Sequence, residues 1–88
     1  MVAADRANWM QQLKIEQQLL VKAETDIEEG WTRLRDQQDL MEWLQRAGHD
    51  TKQAERLVNL LKQTLVEWER HRVLIEQRIA YLEGQVAS

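Results

Sequence analysis

Few side chains in this sequence have the type and spacing to do chemistry. His49 and Asp50 are adjacent, and an imidazole beside a carboxylate can form a general-base pair or half of a metal site. Glu67 and His71 are four apart, which puts both on one face of a helix as a carboxylate–histidine pair. Gln37 falls where a helical seam would bury it, so its amide is a candidate for fixing register or reaching a partner. What a reaction needs beyond these is missing from the sequence. There is no cysteine, which excludes thiolate chemistry, a disulfide framework and cysteine-based zinc sites. Neither a phosphate loop nor a catalytic triad nor a paired-carboxylate signature occurs. Metal centres in helical bundles use several inward carboxylates with Glu-x-x-His spacings, and one inward histidine per hairpin does not supply them. His49 and Asp50 are therefore read as turn and cap residues and His71 as a structural seam residue. No catalytic residue, cofactor or metal is expected.

The elements that must position these side chains follow from one break. Gly48-His49-Asp50-Thr51 separates two long segments of helical apolar periodicity, and the chain contains no proline. In the first segment Leu13, Leu20, Ile27, Leu34 and Met41 recur every seven residues, with Ala23, Gly30, Gln37 and Leu44 as the second seam row. The second segment repeats Ala54, Leu61, Trp68, Ile75 and Leu82, flanked by Leu57, Val58, Thr64, Leu65, His71, Arg72 and Ile79. These patterns predict an all-α fold: an antiparallel two-helix hairpin resembling a coiled coil. Helix 1 is expected over about 5–47, a turn at 48–50 and helix 2 over about 51–83, in a single domain spanning 1–88. Asp5 is the expected cap of helix 1, Gly48 its left-handed stop and Asp50 the cap of helix 2, with Gln53 completing a capping box. Gly84 is the expected end of helix 2.

Folding back about residue 49 pairs Leu44 with Ala54, Gln37 with Leu61, Gly30 with Trp68 and Ala23 with Ile75. Small faces large at most of these levels, which is how facing layers interdigitate. A glycine inside a helix costs about 1 kcal/mol relative to alanine, so Gly30 needs a packing reason, and the indole of Trp68 supplies one.

Two helices cannot enclose a core. Apolar residues spill beyond the seam at Leu19, Trp31, Leu40, Leu74 and Tyr81, a stripe as broad as that of a bundle helix. The expected solution is a homodimer forming a four-helix bundle. Helix 1 also outruns helix 2, so Trp9, Met10 and Leu13 are expected to lack a partner within the hairpin and to pack across a dimer or on another protein. Trp43, away from the seam, marks a second contact surface, whereas Val66 and Val73 read as incidental.

Composition narrows the class of partner. Charged residues make up 31% with acids and bases interspersed and a net charge of -3, a poor footprint for nucleic acid. Apolar runs are far too short to span a membrane, and no secretory signal is read near Met1, so a cytoplasmic protein is the expectation.

From Leu20 to Ile79 the chain resembles a group of short, uncharacterised proteins common in alphaproteobacteria, especially rhizobia. The likeness rests on Ala23, Glu24, Ile27, Glu29, Gly30, Leu34, Gln37, Leu40, Met41, Leu44 and Gly48-His49-Asp50-Thr51, then Ala54, Leu57 and His71-Arg72. The resemblance implies a helical hairpin and brings no activity, substrate or cofactor. The chain departs from it at Trp31 and Trp43, where the group has polar residues, and at Asp36 and Gln38, where it has basic ones.

The function expected is a protein–protein interaction or structural module acting as a homo-oligomeric bundle. Trp9, Met10, Leu13, Trp31 and Trp43 are its contact candidates, and an unidentified protein is a further partner. The alternative is a small nucleic-acid-associated regulator using Arg33, Arg46, Lys52, Arg56 and Lys62 near the hairpin tip.

Overall fold

The structure is a computed structural model and describes residues 3–88, with side chains from Asp5 onward. It consists of two helices, α1 (Ala3–Arg46) and α2 (Lys52–Ala87), and no strand among the described residues. Packing divides the chain into two compact units. One is made of Met1–Thr25 and Arg70–Ser88, the other of Asp26–Glu69, which contains the turn.

The turn is built from backbone hydrogen bonds that the glycine makes possible. Gly48 adopts φ +76°, in the left-handed region where any Cβ would clash with its own carbonyl. The chain can then reverse so that the Gly48 N–H donates to the Gln45 carbonyl (3.2 Å) and the His49 N–H to the Leu44 carbonyl (2.9 Å). These two bonds are the Schellman pattern, and they satisfy carbonyls that the last helical turn leaves without partners. On the other side the Thr51 carbonyl accepts the first bond of α2, from the Glu55 N–H at 2.9 Å. The Asp50 carboxylate accepts the Lys52 N–H at 3.0 Å. Asp50 thus caps α2 two residues along rather than three, in an Asx-turn rather than the expected capping box.

Two expected ends shift. Asp5 lies inside the first turn of α1, where its charge complements the helix dipole, and does not cap it. Gly84 does not end α2. It lacks the positive φ by which glycine stops a helix, and its carbonyl accepts both the Ser88 N–H (3.2 Å) and the Ser88 hydroxyl (2.8 Å).

Within the Asp26–Glu69 unit the core is Ile27, Leu34, Val58 and Leu65, with Met41, Leu61 and Trp68 packed against it. Gly30 is buried at the closest approach. A Cβ there would stand 2.8 Å from Leu65 Cδ2 and 3.2 Å from Trp68 Cζ3. The paired glycine and indole expected from the register are thus in contact, with Leu65 the nearer neighbour. Gln37 is half-buried beside this core, and Ala54 is buried at the start of α2. Leu57, expected to flank the seam, is exposed.

In the other unit Ile75 and Leu82 are buried, and Leu13, Leu20, Ala23 and Ile79 are half-buried. Arg78 crosses to Glu16 at 3.2 Å, while Arg72 pairs with Glu76 on its own helix at 3.7 Å. His71 is exposed rather than packed in the seam.

Threonines inside the helices turn their hydroxyls onto their own backbone. Thr25, Thr32 and Thr64 donate to the carbonyls of Val21, Glu28 and Leu60, which spares them a competing partner.

Candidate interaction surface

On the Asp26–Glu69 unit a groove of about 470 Å³ lies between the helices, floored by Leu34 and Leu65. Trp31 and Gln38 line it from α1 and Val66 from α2, with Arg35, Lys62 and Glu69 at its edges. Trp31 is 47% exposed and Val66 56%. Val66, read from its heptad position as incidental, is therefore the α2 wall of this groove. The reason is rotational. On α2 the buried residues Val58 and Leu65 lie to one side of the row Ala54, Leu61 and Trp68, and this brings the next residue round to the groove rim.

Away from the groove, Leu40 and Trp43 on α1 and Leu57 and Leu60 on α2 are all exposed. Trp43 is not idle there. Its ring stacks on His49 with centroids 5.9 Å apart and planes 30° apart, so the indole covers one side of the turn and leaves 58% of itself to solvent. His49 is thereby placed twice, by its N–H in the turn and by its ring on Trp43. The Asp50 carboxylate is occupied by the Lys52 N–H, so the two side chains that suggested a general-base pair each have a structural task. The exposure of Leu60 escapes the heptad reading. Its sequence signal is the Leu60-Leu61 doublet, of which only one member can face the seam.

Three of the basic residues of the tip come together. Lys52, Arg56 and Lys62 line a hollow of about 520 Å³ together with Glu55, Asn59, Met41 and Val58. Arg46 pairs with Glu42 at 3.8 Å.

In the other unit Trp9 packs edge-to-face on Tyr81, with centroids 6.3 Å apart and an interplanar angle of 82°. The expected overhang before Lys14 is therefore corrected. Tyr81 lies within α2 and its ring meets that of Trp9, so the indole has a partner inside the hairpin. Leu13 is half-buried, and Met10 is left exposed. His71 lines a shallow hollow of about 270 Å³ with Glu16, Leu19, Leu74, Ile75 and Arg78.

Among the described residues no group of three or more His, Cys, Asp or Glu is placed to hold a metal ion, and no helix is long and apolar enough to cross a membrane. A comparison with known protein families, curated proteins and solved structures finds no match to this chain.

Proposed function

We propose that the chain is a protein–protein interaction module that works as a homodimer, two hairpins making a four-helix bundle. The observation that carries this reading is the amount of surface left wet. A folded monomer of this mass is expected to expose about 5,400 Å². The chain exposes 6911 Å². The difference, about 1,500 Å², exceeds the roughly 800 Å² that each partner gives up in a standard interface. Large apolar side chains are part of it, including Trp31, Trp43, Leu40 and Leu60. Exposed large apolar side chains grouped on a face mark association sites, and tryptophan is a favoured anchor because it buries much area with few rotatable bonds.

Sedimentation equilibrium across a micromolar range tests the reading. A dimer that dissociates on dilution supports it, and a folded monomer at every concentration overturns it.

The second reading, a nucleic-acid-associated regulator, draws on the hollow lined by Lys52, Arg56 and Lys62. Glu55 in the same hollow offsets part of that charge. Binding to a short duplex that falls steeply with added salt would favour it, and no binding at low salt would remove it.

A further inference from the structure

We propose that the second copy docks on the Trp31–Val66 groove, antiparallel to the first, with a two-fold axis passing between the two Val66 side chains. The inference rests on the self-association reading above and adds which face is used and in which direction.

Charge decides the direction. Gly30 lies against Leu65 and Trp68, so the antiparallel helices of this unit share levels around that contact. Arg35 and Lys62 then stand together at one end of the groove, and both line it. At the other end Glu69 lines it from α2, one heptad from Lys62, and on α1 Glu28 lies one heptad from Arg35, on the same side of that helix. The basic and acidic ends are separated by seven residues, about 10 Å of helix. Between them lie Trp31 and Val66. A copy docked parallel would set cations on cations and carboxylates on carboxylates. Turned end for end, it sets Lys62 on the partner's Glu69 and Arg35 on the partner's Glu28, while the apolar middle meets itself. One patch meeting its own copy in this way is an isologous two-fold interface. Like charges placed opposite each other suppress the wrong orientation.

Composition agrees with this use of the face. The groove has an apolar floor and one exposed indole, the composition of an interface centre, with its charges at the ends, the composition of a rim.

The chain has no cysteine, so single cysteines report proximity without background. Val66→Cys and Leu60→Cys are matched, being 56% and 58% exposed on different faces. Each is treated with a short bismaleimide and resolved on a denaturing gel, with helicity checked beforehand. Val66→Cys is expected to give a covalent dimer and Leu60→Cys to remain a single chain. A dimer in sedimentation that crosslinks through Leu60→Cys and not Val66→Cys overturns the groove and leaves self-association standing. A chain that sediments as a monomer throughout overturns both. The direction is tested by charge exchange. Lys62→Glu is expected to weaken the dimer about tenfold, and adding Glu69→Lys to restore it. Failure of the double variant to regain affinity overturns the antiparallel arrangement.

Discussion

A methyl group added at each of the three glycines would meet three different surroundings. At Gly30 it meets Leu65 and Trp68 at 2.8 and 3.2 Å. At Gly48 it meets open space but a backbone at φ +76°. At Gly84 it meets open space in an ordinary helix. Gly84→Ala is therefore expected to raise the melting temperature slightly, since alanine favours the helix by up to about 1 kcal/mol and less near a fraying end. Gly48→Ala should lower it, because a left-handed residue with a Cβ costs about 1–2 kcal/mol. Gly30→Ala sets a similar helix gain against displacement of a leucine methyl and should change little. Gly30→Leu cannot be absorbed so. Overpacking of about 2 kcal/mol corresponds to a fall of about 10 °C for a chain this size. Thermal melts by circular dichroism check the order, and an unchanged melting temperature for Gly30→Leu would contradict the close approach.

For the helices themselves, the seven-residue repeat located the buried rows because burial and repeat share one cause. Ile27 and Leu34 are buried on α1, as are Ala54, Ile75 and Leu82 on α2, all members of the seven-residue repeats. The turn was legible too, since Gly48 and Asp50 each have a backbone reason to be where they are. What sequence could not show is how far each helix rolls about its axis. That roll buries Val58 and Leu65, exposes Leu57 and His71, and turns Val66 into a wall. The end of α2 was misjudged because glycine stops a helix only when its φ turns positive, and sequence does not display φ. The Trp9–Tyr81 pairing was missed because a register counted from residue 49 leaves Trp9 without a residue opposite. Tyr81→Ala is expected to move the indole N–H signal of Trp9 in a nitrogen–proton NMR spectrum while those of Trp31 and Trp43 stay in place. Movement of all of them would mean that the contact supports far more than its own end of the helices.

Across the whole molecule the core is thin. No side chain among the described residues is fully buried, and no polar or charged group is counted in the core. If folding and dimerisation are one equilibrium, the melting temperature should rise with protein concentration, since a partner that binds only the folded chain stabilises it by mass action. Melts spanning a hundredfold range in concentration check this, and a midpoint that ignores concentration would separate the fold from the dimer. The same economy explains why the candidate site was only partly legible. Trp31 and Trp43 stand out by residue type, but a groove belongs to two segments at once, and Arg35, Lys62 and Glu69 become its edges only when both helices are in place.

The notch at Gly30 makes the hairpin count its own residues. Its indole partner sits a fixed number of steps from the bend, and sliding the helices past each other would bring a side chain to the place where the glycine makes room for that ring. Length in the bend is thus policed from well along the helices: a chain carrying one surplus residue there would have to choose between closing its corner and seating its tryptophan.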